Sequence, residues 1–103
     1  MKTTILATLS LIAFASLSWA GAAEGKEVFT ARCMACHGPN GEGKPAIAKM
    51  FNVTQAPLAS KEVQAKTDAQ LQQVILKGQG KMKPIGITEK QAADVVAFVR
   101  TLK

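Results

Sequence analysis

Cys33-Met34-Ala35-Cys36-His37 is the run in this chain whose residue types and spacing could do chemistry. Two thiols three residues apart fall on one side of a helical turn, where each can add to a vinyl group of the same porphyrin. The residue that follows, His37, can then give an imidazole nitrogen to the iron. C-x-x-C-H at this spacing reads as a c-type haem attachment site. A tethered ligand is effectively intramolecular, so it stays in place when the iron changes oxidation state. His37 is the one histidine among 103 residues, so the chain has no other imidazole to offer.

Three other uses of these residues fit less well. A thioredoxin-like redox pair, the basis of a haem-free thiol–disulfide protein, expects a βαβ pattern nearby, and the sequence has none. A structural zinc site wants four ligands, more than two cysteines and one histidine supply. A disulfide between Cys33 and Cys36 would close too short a loop to constrain much.

A haem held through His37 has a second axial position. A thioether there is a soft ligand that favours Fe(II), raises the potential and blocks O₂. Outside the leader described below, the methionines are Met34, Met50 and Met82. Met34 lies between the two cysteines and does not reach the far face. Met50 is close in sequence to His37, in a segment expected to pack beside the haem. Met82 lies far along the chain in the glycine-rich run Gln79–Gly86, where Pro84 limits its motion. Methionine is usually core filler, but Lys81 and Lys83 flank this one in a polar loop. Met82 is therefore the expected second ligand, with Met50 and an open or lysine-ligated iron as alternatives.

These residues must be carried by a small domain. Met1-Lys2 is a short positive start, Ile5 to Leu17 is an apolar run, and Ser18-Trp19-Ala20 and Ala20-Gly21-Ala22 both offer small residues for cleavage. Residues 1–22 read as a secretory signal peptide cut after Ala20 or Ala22. The alternative, an uncleaved membrane anchor, has an apolar run short of the roughly 20 residues a spanning helix needs. A periplasmic destination fits haem attachment after export. Residues 23–103 then form one domain, small enough that a polypeptide core alone gives little stability and a staple is expected. Haem would be that staple. The chain has no tyrosine and one tryptophan, Trp19, which leaves with the leader, so aromatic packing rests on Phe29, Phe51 and Phe98.

The formal net charge is +6, and loss of Lys2 lowers it by one. A basic carrier suits an acidic protein partner or an anionic membrane surface. Nucleic acid is excluded as a partner: there is no arginine cluster, recognition motif or aromatic interleaving, and the compartment is wrong.

The spacing predicts a first helix from near Gly25 to Cys36, with Gly25, Phe29 and Cys33 four apart on one face and Val28 beside them. Gly25 reads either as a point of close approach for another helix or as an ordinary helix-start glycine. The run Gly38–Gly43 ends that helix. Lys44 to Ser60 has no clean period and reads as an ordered loop with one short turn at Ile47–Phe51. The carbonyl of Pro45 in this loop is either an acceptor that orients the His37 ring, as partners of metal ligands commonly do, or part of a plain turn. Thr67-Asp68-Ala69-Gln70 and Thr88-Glu89-Lys90-Gln91 are capping boxes. The first opens a helix with Leu71, Val74 and Ile75 on its apolar face and Gly78 just past its end. The second opens a last helix with Ala92, Val95, Val96, Val99 and Leu102 in its stripe and Phe98 at the edge. No strand pattern, repeat or long linker is present.

Gly25/Phe29, Cys33–His37, Pro45, Met82 and Phe98, in that order, resemble a small class I c-type cytochrome of bacterial periplasmic type, and the resemblance covers essentially all of residues 23–103. It implies an all-α, cytochrome c-like fold with three to four helices wrapped around one covalently bound haem. It also implies that the first and last helices cross where Gly25 and Phe29 meet Phe98. The chain departs from the family's common pattern in placing Lys83 between Met82 and Pro84 and in lacking a Trp or Tyr near the haem propionates.

The expected function is that of a monomeric electron carrier, not an enzyme. One haem c cycles between Fe(III) and Fe(II) with Cys33 and Cys36 as attachment points and His37 and Met82 as axial ligands. The competing function is a haem enzyme or small-ligand sensor in which Met82 is displaced; no second histidine or arginine cluster supports a peroxidase-like pocket. Lys77, Lys81 and Lys83 bracket the methionine loop. They are expected to rim the exposed haem edge and steer acidic redox proteins to it, or else only to keep the protein soluble.

Overall fold

The structure, a computed structural model, describes residues 14–103, with side chains described from Gly21 onward. The positive start and most of the apolar run of the expected leader lie outside the described residues. Among the described residues six helices follow one another: α1 (Phe14–Arg32), α2 (Met34–His37), α3 (Pro45–Phe51), α4 (Lys61–Gln64), α5 (Asp68–Lys77) and α6 (Glu89–Arg100). Two of them, α2 and α4, are single turns. Among the described residues there is no strand, only an isolated bridge between Gln79 and Met82. No helix among them is long and apolar enough to cross a membrane.

The first helix differs from its expected span at both ends. It is already helical at Phe14, the first described residue and well before Gly25, and it ends at Arg32 because Cys33 steps out of helical geometry with φ −121° and ψ −30°. The hydrogen-bond ladder nevertheless runs through the step. Cys33 N donates to Phe29 O at 2.8 Å and His37 N donates to Cys33 O at 3.0 Å. The result is a kink of one residue at the first thiol rather than a break. As expected, the glycine run ends α2, with Gly38 at φ 83°.

The most extensive helix contact is between α1 and α6. It forms where Gly25 removes a side chain. A Cβ built there would run into the backbone carbonyl of Asp94 and stand 2.9 Å from Val95 N. Gly25 is thus a point of close approach, and the alternative of an ordinary helix-start glycine falls. One turn further on, Phe29 fills the space and meets Phe98, with ring centroids 5.1 Å apart and planes tilted by 54°. A tilted pair at this distance adds about 0.5–1.5 kcal/mol to simple burial.

Phe98, expected at the edge of the α6 stripe, is buried within this core. The buried side of α6 is broader than a narrow heptad stripe and takes in Ala92, Val95, Val96, Phe98 and Val99, with Asp94 also buried. Ile75 of α5 and Cys33 complete the cluster. Phe51, expected to share the aromatic packing, is instead 40% exposed.

The prediction at Gly25 follows from two opposed effects. Alanine is a better helix former than glycine by about 1 kcal/mol. Here the added methyl meets backbone, which yields far less readily than a side chain, and overpacking of this kind costs about 3 kcal/mol. Gly25→Ala is expected to lower the thermal midpoint of the haem-loaded protein by roughly 8–16 °C, measured by circular dichroism. An unchanged or raised midpoint would mean that the α1–α6 crossing is not as close as described.

Both capping boxes form. Thr67 Oγ1 accepts from Gln70 N and Thr88 Oγ1 from Gln91 N, each at 3.1 Å, while each glutamine side chain accepts from its threonine N–H. The segment 44–60 is more ordered than its sequence suggests. Pro45 takes the first position of α3, where its fixed φ favours a helix and its missing N–H costs nothing. The helix closes at Asn52 with φ 54°. Ser60 then caps α4 by accepting from Val63 N at 3.3 Å.

Arg100 fastens the far end. Its Nη1 donates to Gln64 O at 3.0 Å, its Nη2 to Lys66 O at 2.6 Å, and its Nε and Nη2 to Asp68 Oδ1 at 3.0 and 2.8 Å. The end of α6 is thereby tied to the α4–α5 junction. A charged donor reaching several backbone carbonyls is a stronger tie than an ordinary neutral hydrogen bond.

Candidate haem-attachment site

The α1–α2 kink decides where the two thiols go. Cys33, at the kink, is buried in the α1–α6 core, whereas Cys36 is exposed; neither forms a disulfide. Burial pushes the Cys33 thiol above its ordinary pKa, and the Arg32 charge beside it only partly offsets this. Met34 between them packs against the core, so it has no part in a distal role.

His37 is half-buried at the end of α2. Burial pushes its pKa below the ordinary histidine value, so at neutral pH the ring is the neutral imidazole, the form that binds metals. Its Nδ1 is buried and has no hydrogen-bond partner. The Pro45 carbonyl therefore does not orient the ring in this structure, and Pro45 acts as the first residue of α3 instead. A buried, unpartnered polar atom marks a ring that the surrounding protein does not hold by hydrogen bonding.

Backbone order around the turn comes from a residue with no sequence signal. Gln55 Nε2 donates to Cys36 O at 2.8 Å, and Gln55 Oε1 accepts from Lys44 N at 2.9 Å. One side-chain amide thus links the attachment turn to the start of α3. Gly43 N donates to His37 O at 2.7 Å, and Leu58 N donates to Gly41 O at 2.8 Å, so the loop folds back on the turn. Gly43 takes φ 91° facing Gln55, a conformation that favours glycine.

Met82 lies on a separate loop. Gln79 N donates to Met82 O and Met82 N donates to Gln79 O, both at 2.9 Å, which closes a tight turn through Gly80 and Lys81. The turn is set against the end of α5, where Gly78, at φ 83°, leaves room for the Met82 carbonyl and the Pro84 ring. Ile85 N donates to Ile75 O at 2.9 Å and anchors the far side of the loop. Met82 itself is half-buried and lies outside the cluster that Cys33 joins. The α2 turn brings Cys33, Cys36 and His37 together, whereas Met82 lies apart from them on its own loop.

The residues present fit a large apolar group attached at this turn. Two free thiols and a neutral imidazole lie within five residues. Shortly beyond them Met50, Phe51 and Val53 stand 67%, 40% and 38% exposed, apolar surface that the described chain leaves uncovered. Isolated exposed apolar residues are ordinary, but a run of large ones marks surface with something to bind. Two shallow hollows of about 440 and 360 Å³ lie elsewhere, and neither is lined by Cys33, Cys36, His37 or Met82. The described residues hold no cluster of three or more His, Cys, Asp or Glu that could bind a metal ion by themselves, so an iron here would need porphyrin nitrogens. Lys77, Lys81 and Lys83 are all exposed and form no ion pair among the described residues.

No curated protein matches the chain. Among solved structures, KustC0563 c-type cytochrome superposes with a TM-score of 0.65 at 23% identity, covering 77% of this chain and 96% of its own. At that identity the likeness concerns the fold, which is the all-α arrangement expected of the sequence. The family model described as cytochrome c matches residues 22–103, a span that holds the thiol pair, His37, Met82 and the α1–α6 crossing, and the chain belongs to the cytochrome c family.

Proposed function

We propose that this protein is a periplasmic electron carrier in which Cys33 and Cys36 hold the haem covalently and His37 and Met82 are its axial ligands. Membership of the cytochrome c family implies one covalent haem c and haem-based electron transfer between redox proteins. The observation that carries the finer reading is the α2 turn, which joins two free thiols to a half-buried, neutral His37.

When bound, haem supplies one-electron exchange between Fe(III) and Fe(II). The chain's own residues bind and orient it. Cys33, anchored in the core, fixes the turn to α1 and α6, and Cys36 offers the second thiol from the exposed side. Gln55 holds the Cys36 carbonyl, so the turn keeps its shape when charge changes. Met82 offers a soft thioether, and the Gln79–Met82 turn, backed by Gly78 and Pro84, limits where it can move. Carrying an electron needs no general acid, base or nucleophile. The segment up to Ala20 or Ala22 acts in this reading as the export signal, and the rest of the chain as the working domain.

Partner docking is assigned to Lys77, Lys81 and Lys83, which stand exposed around the Met82 loop. Steering of this kind acts mainly on the association rate and weakens with salt, because the Debye length falls from about 10 Å at 0.1 M to about 3 Å at 1 M. Lys81→Glu with Lys83→Glu is expected to slow electron transfer to an acidic redox protein roughly tenfold at low salt, with the difference shrinking as salt rises. Stopped-flow absorbance measures the rate, and an unchanged potential confirms that the haem site is intact. A double variant as fast as wild type at low salt would make these lysines solubility residues. A wild-type protein that exchanges electrons with no protein partner at any salt would not be a carrier.

A further inference from the structure

Gly21 lies four residues before Gly25, on the side of α1 that faces α6. A Cβ built at Gly21 would stand 3.3 Å from Asp94 Oδ1 and 3.9 Å from Ala97 Cβ. Asp94 is 8% exposed. Its Oδ2 accepts from Lys90 Nζ at 2.8 Å, but Oδ1 accepts no hydrogen bond among the described residues. Lys90 is itself shared with Glu24, at 3.4 Å. Two carboxylates on α1 and α6 thus meet a single ammonium.

We propose that signal cleavage falls after Ala20 and that the freed α-ammonium of Gly21 pairs with Asp94. This rests on the export reading above. Cleavage hydrolyses the Ala20–Gly21 amide: one water is consumed, its oxygen goes to the Ala20 carboxylate, and the nitrogen remains on Gly21 as an amine that is protonated at neutral pH.

The geometry favours this position over the other. Once residue 20 is gone, rotation about the Gly21 Cα–C bond carries the nitrogen into the place a Cβ would occupy. Because residue 21 is glycine, that place is empty, and it lies 3.3 Å from Asp94 Oδ1, within ion-pair distance. Cleavage after Ala22 would put the ammonium on Ala23, which is exposed. Two residues along a helix is about 200° of rotation, so that charge would project away from α6. Cleavage after Ala20 also starts α1 at Gly21, where the positive end of the helix dipole works against the ammonium, so the pairing with Asp94 has to outweigh the dipole. The groups around the new terminus are then Lys90 and Asp94 from α6 and Glu24 from α1, two charges of each sign once the ammonium is counted.

The test uses the exported, haem-loaded protein. Intact-mass measurement should give a chain starting at Gly21; one starting at Ala23 overturns the proposal, and an uncleaved chain contradicts the export reading itself. The terminal amine is then titrated by NMR. In the wild type its midpoint should lie above the ordinary α-amine range of about 7.7–8.0, and in Asp94→Asn it should return to that range with the haem spectrum unchanged. A wild-type midpoint already in the ordinary range, or one that Asp94→Asn leaves raised, overturns the pairing. The wild-type measurement decides even if the variant fails to accumulate.

Discussion

Cys33→Ala combined with Cys36→Ala yields protein that carries no covalent haem and is largely unfolded by circular dichroism. The reason is the distribution of the core. The buried hydrophobic residues are Phe29, Cys33, Val63, Ile75, Ala92, Val95, Val96, Phe98 and Val99. They come from α1, the kink, α4, α5 and α6, and α3 contributes none. From Gly38 to Ser60 the chain is held by hydrogen bonds such as those of Gln55, Gly41 and Gly43, with Leu58 packed against the core. A core in a domain this small rarely supplies more than about 3–5 kcal/mol. Removing a large apolar group that is covalently fixed beside the core would exhaust that margin. Haem retention on a denaturing gel and far-ultraviolet circular dichroism give the readout. A helical, cooperatively melting double variant without haem would mean that the α1–α6 core suffices and haem is cargo rather than staple.

Met82→Ala lowers the reduction potential and opens the reduced iron to carbon monoxide. Axial ligands set haem potentials over a range of roughly 0.8 V, and loss of a thioether is expected to take the potential down by on the order of 0.1 V or more. Met50→Ala should leave both properties unchanged, since Met50 sits on α3, close in sequence to His37, and not on the separate Gln79–Met82 turn. Spectroelectrochemistry and carbon monoxide binding at neutral pH separate the two variants. The reverse pattern would transfer the ligand role to Met50. Fast carbon monoxide binding by the unmodified protein would favour the ligand-sensing alternative, in which Met82 leaves the iron.

What the sequence made legible was chiefly local. C-x-x-C-H names its chemistry because five adjacent residues suffice for it. The two capping boxes need only the residues from Thr67 to Gln70 and from Thr88 to Gln91, and both formed as expected. Gly25 and Phe29 were legible through their spacing of four, and the family resemblance supplied their partner, Phe98. Features made by distant residues were not legible. Gln55 lies in a stretch without period, and its role arises only because folding brings the Cys36 carbonyl beside it. Arg100 and Asp68 are separated by 32 residues and by two helices' worth of chain. Asp94 carried no signal in the sequence, and it is buried where Gly25 lets α1 approach α6. The helix at Pro45–Phe51 was read too short because its burial is slight, which leaves no apolar period to detect. The placement of Met82 by the Gln79–Met82 turn is defined by backbone geometry alone, and its bond to iron stays a proposal resting on residue type and loop position.

The central claim is that this chain carries one covalent haem c in a form suited to reversible electron exchange, and the visible spectrum of the purified, exported protein tests it most directly. Oxidised and reduced spectra should show a c-type haem that survives denaturation and acid–acetone extraction bound to the polypeptide, that cycles reversibly, and that is unchanged by carbon monoxide in the reduced state at neutral pH. A colourless protein, or a haem that extracts freely from the chain, would contradict it.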